Sequence, residues 1–463
     1  MTFTRRGLLQ STLAAGALVA AARTARGEPM PPMPGMDMPP DPTPDAAPDP
    51  APIMQSEDAP PAGPTTLTRG RAVAGEAYTP VIAPSCGTLP FVMRAGVKVF
   101  HLVAEPVTHE IAPGLVIQAW GYNGKTPGPL IEAVVGDRIR VYVTNRLRER
   151  TTVHWHGVLV PSGMDGVAGL NQPGIQPGQT FKYDFTLMKA GTFMYHPHFD
   201  EMTQIALGMA GMIVVHPRGG SGGGRVRDYA LMTHEWKIPI GTRRPDPLAM
   251  NDFNVLTLNS KAFPATEPLL AEVGDRVRIR FGNLGPMDHH PIHLHGNTFE
   301  LTETDGGPVP ASARHPETTV LVPVGAVRVV ELTARYPGDW AMHCHMTHHI
   351  MNQMGHDAPN LIGVDTRGVD AELGKALPGY MPMGQRGMGD MMMMKQPPNS
   401  ISMMGGKGPF GTIDMGGMFT ILKVRDRLPG GETPIDPGWF TNPPGTVASQ
   451  ASADDLSRDG IVL

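Results

Sequence analysis

Cysteine is almost absent from this chain: Cys86 and Cys344 are the only two among 463 residues. That excludes a disulfide framework, although one bridge stays arithmetically open. Aromatic residues are also sparse at 6%. The formal net charge of −5 leaves no basic excess, so a nucleic-acid binder is not expected. The Ala- and Leu-rich run ending near Ala22 is too short for a stable membrane anchor. What is abundant points elsewhere. A hydrophobic content of 41% is enough to build packed cores in two or three domains. High Gly (56), Pro (49) and Met (31) suggest loop-rich β structure flanked by biased segments.

The N-terminus reads Arg5-Arg6-Gly7-Leu8-Leu9 before that apolar run, the pattern of a twin-arginine export signal over 1–28, cleaved within 22–28. A periplasmic location is therefore expected. Residues 29–87 begin Pro- and Met-rich, as in Met30-Pro31-Pro32-Met33. Such a stretch cannot bury enough apolar surface to offset its ordering entropy and reads as a mobile segment. Cys86, in Pro84-Ser85-Cys86-Gly87, reads as an inert thiol.

Two later stretches match each other. Val135-Gly136-Asp137-Arg138-Ile139-Arg140-Val141 and Val273-Gly274-Asp275-Arg276-Val277-Arg278-Ile279 each place alternating apolar and polar residues after a Gly-Asp turn. That is the pattern of a half-buried strand. Each strand ends in Asn (Asn145, Asn283), and a histidine pair follows. The repetition predicts two copies of one β-sandwich, 88–217 and 226–366, joined by a Gly-rich link at 218–224. Residues 367–463 read as a Met- and Gly-rich tail, within which Met418–Val424 is a strand-like patch expected to pair with a sandwich edge.

Four histidine clusters carry the chemistry: His154-Trp155-His156, His196-Pro197-His198, His290-Pro291-Ile292-His293-Leu294-His295, and His343-Cys344-His345 followed by His348, His349 and Met354. Residues i and i+2 of a strand share a face, so each His-x-His pair offers two imidazoles side by side. Eight such imidazoles can hold three metal ions. Cys344 lies between paired histidines and faces the other way. His290, Cys344, His349 and Met354 make up the set of two His, one Cys and an axial Met that characterises a blue-copper electron-transfer site.

In order and spacing, these four motifs resemble those of the multicopper oxidases, the family of laccases and ascorbate oxidase. The resemblance implies an all-β protein of two cupredoxin-like Greek-key sandwiches and four coppers per chain. Carried over by motif position, type 1 copper would be held by His290, Cys344 and His349 with Met354 axial. Type 2 copper would be held by His154 and His293. The type 3 pair would be held by His156, His196, His198, His295, His343 and His345. His348 competes with His349, and His289 with His290; the family spacing favours the second of each pair. Asp165 resembles the family's acidic proton-relay residue near type 2 copper, and an Asp-Gly pair is also an ordinary turn. Ile350 stands where related bacterial enzymes often carry a second acid; Asp200 and Glu201 are the candidates to replace it.

Four cluster ligands come from each repeat and no spacer domain is present, so the chain resembles two-domain oxidases that close as cyclic homotrimers with clusters between subunits. Pro197 occupies the position of a blue-copper Cys in the first repeat, which argues against a copper nitrite reductase. The expected partners are dioxygen and a donor. Thioether sulfur selects Cu(I), so Met381-Pro382-Met383, Met391–Met394 and Met403-Met404 favour Cu(I) oxidation in copper detoxification. A laccase acting on phenols is the alternative, and a periplasmic copper-storage protein is a third reading.

Overall fold

The computed structural model describes residues 78–220, 225–353, 397–403, 405–431 and 434–462, together with the single positions 372, 375 and 376. The expected export signal, the segment up to residue 77, Met354, Met404 and the methionine runs at 381–383 and 391–394 lie outside the described residues. No described helix is long and apolar enough to cross a membrane.

The structure is all-β, and its two cupredoxin-like sandwiches are built the same way. In the first, Val97–Ala112 pairs in parallel with Arg138–Asn145, the strand that follows the first Gly-Asp turn. In the second, Val226–Trp236 pairs in parallel with Arg276–Asn283. The turn works identically in both. Gly136 and Gly274 each take φ +89°, open to glycine but strained for other residues. The Asp that follows folds back: Asp137 Oδ2 accepts from the Val134 N–H at 2.8 Å, and Asp275 Oδ2 from the Glu272 N–H at 2.9 Å. The alternation read from the sequence is realised in Arg138–Asn145, where every second side chain enters the core.

The sheets that carry the histidines oppose these. In the first sandwich the second sheet runs Ile131–Val134, Gly211–His216, Gly191–His196, His154–His156. Phe100, Leu102, Val141, Trp155, Tyr195 and Ile213 fill the space between the two sheets. In the second sandwich the matching sheet runs Leu269–Glu272, Phe419–Arg425, Gly338–Cys344, His290–Leu294, Thr319–Val322.

Here one expectation is corrected. Phe419–Arg425 does not decorate a sandwich edge; it lies inside the sheet, parallel to Leu269–Glu272 and antiparallel to Gly338–Cys344. It occupies the place that Gly211–His216 fills in the first sandwich. Leu422 and Val424 are fully buried. The region expected to be a tail therefore contains an integral strand, and the methionine runs at 381–383 and 391–394 belong to a connection between two neighbouring strands. Described residues on either side of these runs are tied together. Ile401 N–H donates to Gln353 Oε1 at 2.8 Å, and Asn352 N–H to the Met403 carbonyl at 3.0 Å. Local alternation identified the strand, but its non-local partners are not written in its own residues.

Within the chain the two sandwiches meet through Leu130, Met194, Met212, Met232 and Val327, with Cys86 packed among them. Burial pushes the Cys86 thiol up to about 12, in keeping with an inert role. Arg280 crosses the same junction: it pairs with Asp228 through two 2.8 Å contacts and donates to Thr192 Oγ1 at 2.6 Å.

Candidate metal centres

A repeated device places the first histidine strand of each sandwich. Asn145 and Asn283 end equivalent strands, and each side chain grips the loop that follows. Asn145 Nδ2 donates to the Glu149 and Ile175 carbonyls, and its Oδ1 accepts from the Leu147 N–H. Asn283 Nδ2 donates to the Asp288 and Val322 carbonyls, and its Oδ1 accepts from the Gly285 N–H. The chain then enters the strands His154–His156 and His290–Leu294.

Strand register brings the imidazoles together. His154 lies opposite His196, and His293 opposite His343. In the first tetrad, His154 stacks edge-on to His156, His196 and His198 with ring centroids 5.7, 5.3 and 5.6 Å away. In the second, His293 meets His295, His343 and His345 at 4.8, 5.8 and 5.6 Å. The facing nitrogens are closer still: His156 Nδ1 to His196 Nε2 is 3.2 Å, and His295 Nε2 to His343 Nε2 is 3.0 Å. Among the described residues these ring contacts stay within each tetrad and none joins one tetrad to the other.

Backbone carbonyls set the tautomers. Nδ1–H of His154 donates to the Asp165 carbonyl at 2.8 Å, that of His196 to Pro197 at 2.9 Å, that of His293 to Thr318 at 2.7 Å, and that of His343 to Cys344 at 2.8 Å. Each leaves Nε2 as the lone-pair donor, the arrangement by which outer hydrogen bonds orient metal-binding histidines. Burial holds His196 down to about 3 and also lowers His156, His295 and His343. Neutral imidazole, the ligating form, is therefore favoured.

The third group lies behind the second tetrad. Cys344 is buried on the core side of its strand, while His343 and His345 turn to the other face. His290 Nδ1 and His349 Nδ1 are 3.2 Å apart, and they lie 3.8 and 3.5 Å from Cys344 Sγ. Burial pushes this thiol up to about 12. His290 rather than His289, and His349 rather than His348, reach the sulfur; the two rejected residues are exposed. Two imidazoles and one thiol at these separations suit one soft ion held trigonally by two nitrogens and a sulfur. Met354, the expected fourth donor, lies outside the described residues.

Carboxylates flank the first tetrad and the thiol group. Asp165 Oδ1 lies 3.4 Å from His154 Nδ1, and the same residue ends a short 3-10 turn. Of the two candidate second acids, Glu201 is the one at the histidines, 3.4 Å from His196 Nδ1 and 3.6 Å from His198 Nε2. Asp200 instead takes the left-handed position before the helix Glu201–Ala206. Sequence reasoning missed Glu235 and Asp288, which lie 3.4 and 3.5 Å from the Nε2 atoms of His290 and His349. No local pattern marks Glu235, which stands among Thr233, His234 and Lys237; that it is a buried acid needing a partner is visible only in the folded strand.

The first tetrad opens on a cavity of about 480 Å³, whose lining includes Leu284–Met287, the loop leading to His290. Of the methionines expected to bind Cu(I), Met403 is buried.

Comparison with known proteins agrees with this geometry. Two family models, both described as multicopper oxidase, match residues 104–220 and 239–361. Copper resistance protein A of Escherichia coli is 39% identical over 119 residues, which is 26% of this chain and 19% of that protein. A laccase of Pestalotiopsis fici is 41% identical over 201 residues, 40% of this chain and 30% of that one. The matches thus span less than a third of either relative. The crystal structure of a blue copper oxidase from Nitrosomonas europaea superposes with a TM-score of 0.53 at 26% identity, covering 70% of this chain and 85% of the other. With both sandwiches matched and a ligand set suited to copper in each, this chain belongs to the multicopper oxidase family.

Proposed function

We propose that the protein couples one-electron oxidation of a donor to the four-electron reduction of dioxygen to water. The observation that carries this reading is the division of labour around Cys344, whose thiol enters one metal group while its two chain neighbours enter another. His290, Cys344 and His349, with Met354, would hold type 1 copper, and His154 and His293 type 2 copper. His156, His196, His198, His295, His343 and His345 would hold the type 3 pair, giving four coppers per chain. Copper bound in these places supplies one-electron transfer and dioxygen reduction. The chain's own part is to keep the imidazoles neutral and aimed, to give up the Cys344 proton as metal binds, and to hold a proton at Asp165 beside His154. Glu201 is the better placed of the two further acids.

Ring contacts confined within each tetrad support a cluster completed by a second copy, and we read the assembly as a cyclic homotrimer. The Arg5-Arg6 leader supports export by the twin-arginine route to the periplasm.

Cu(I) is the favoured donor, in a copper-detoxification role. Met381, Met383 and Met391–Met394 would capture it, since thioethers prefer soft ions. These residues sit in a connection whose two ends are pinned directly after the His349 turn. Oxidation of phenols is the competing reading, consistent with the laccase among the relatives.

Because Phe419–Arg425 must stay, the test replaces those methionines with leucine in the full chain rather than removing the C-terminal region. Oxygen uptake is then compared with Cu(I) and with a phenol as donor. Cu(I) turnover should fall while phenol turnover holds; equal Cu(I) turnover in both proteins refutes methionine delivery.

A further inference from the structure

The strand Val226–Trp236 is buried along its whole length, and Glu235 within it is 0% exposed. A carboxylate in such a place must be satisfied from inside the protein. One oxygen is: Glu235 Oε1 accepts from the Met287 N–H at 2.6 Å and the Asp288 N–H at 2.7 Å. The other faces His290. Glu235 Oε2 and His290 Nε2 lie 3.4 Å apart, and both are buried without a hydrogen bond of normal geometry.

The tautomer explains the pairing. His290 turns Nδ1 toward Cys344 Sγ and His349. An imidazole that ligates through Nδ1 carries its proton on Nε2, and a buried N–H needs an acceptor. The atom set opposite it is Glu235 Oε2. Space for that oxygen is built into the loop: a Cβ on Gly285 would fall 1.7 Å from it, so only glycine admits the carboxylate.

We propose that Glu235 is the positioning residue of the thiolate site, fixing the ring plane and tautomer of His290 and lowering the reduction potential of the metal held there. An anionic acceptor on Nε2–H makes the imidazole a stronger electron donor, which favours the oxidised metal. The same carboxylate anchors Met287 and Asp288, so it couples the His290 ring to the loop that walls the first tetrad's cavity. This inference rests on the reading of His290, Cys344 and His349 as a type 1 copper site.

The test uses the copper-loaded full-length protein and two variants, E235Q and G285A. E235Q removes the charge at nearly constant shape; G285A keeps the carboxylate and displaces it. Both should raise the type 1 reduction potential, followed through the thiolate-to-copper absorption band. Both should also speed extraction of that copper by a chelator about 10- to 100-fold, with kcat altered more than the KM for the donor. Potentials equal to wild type, with extraction within about twofold, overturn the proposal. Copper-free melting supplies the control: variants that melt near wild type yet show the shifts support positioning. Variants that fail to fold without copper reduce Glu235 to a structural strut and also overturn it. A wild-type protein lacking the intense thiolate band sinks the copper-site reading itself; a normal band with unmoved variants sinks only this inference.

Discussion

Cys344 shows how much one side chain decides. Its thiol and the imidazoles of His343 and His345 leave the same strand on opposite faces, so loss of the sulfur separates two functions. Cys344→Ser is expected to abolish the intense blue band and donor oxidation while copper at the tetrads is retained; a persisting band would contradict the assignment. Asp165→Asn should slow reoxidation of the reduced protein by oxygen roughly a hundredfold, the usual scale for a lost proton donor. Stopped-flow reoxidation at the wild-type rate would leave Asp165 as a turn residue only. His234 gives a pH prediction outside the ligand set. Burial lowers it to about 4 from an ordinary 6.5. Below pH 6.5 the unfolded chain takes up a proton that the folded chain refuses, so stability falls as pH drops toward 4. In copper-free protein, His234→Gln should remove on the order of 3 kcal/mol of that acid loss. Urea denaturation at pH 7 and pH 4.5 checks this, and an unchanged difference refutes it. His234 and Glu235 were passed over in the sequence because their meaning depends on burial, which a lone His-Glu pair does not announce.

Among the elements, Phe419–Arg425 has the largest consequence. It supplies the strand that closes the histidine-bearing sheet of the second sandwich, between Leu269–Glu272 and Gly338–Cys344. Leu422→Ala should cost about 2–5 kcal/mol, as for a fully buried leucine. A chain ending at Gly368 should lose the sandwich altogether, seen as loss of the near-ultraviolet dichroism of its aromatic residues. A truncated chain that folds with its Cys344 site intact would show that the strand is dispensable. The Gly-Asp turns, the strands after them and the closing Asn residues were all legible, because each depends on neighbours a few positions away. The partners of Phe419–Arg425 were not, since its own alternation fits an edge and an interior position equally well.

The proposed oligomer makes a demand that a single chain cannot meet: each cluster needs one tetrad from each of two copies. Chains with both His154 and His156 changed to alanine should be inactive, as should chains with both His293 and His295 changed. Co-refolded one to one, they should recover about a quarter of wild-type activity, because random head-to-tail pairing restores a complete cluster at that fraction of interfaces. Recovery of nothing would mean that the tetrads do not meet between subunits. The sequence by itself determined which side chains share a face, since alternate residues of an extended strand do so wherever that strand is placed. It thereby determined the four His-x-His pairs and the opposed thiol, and the repeated Gly-Asp and Asn pattern announced the doubled sandwich. Only the tertiary structure decided that His154 meets His196 and His293 meets His343, that Glu201 rather than Asp200 joins the first tetrad, and that Glu235 stands behind His290. These depend on backbone turns and packing between segments far apart in the chain, where small rotations choose the partner and no local periodicity records the choice.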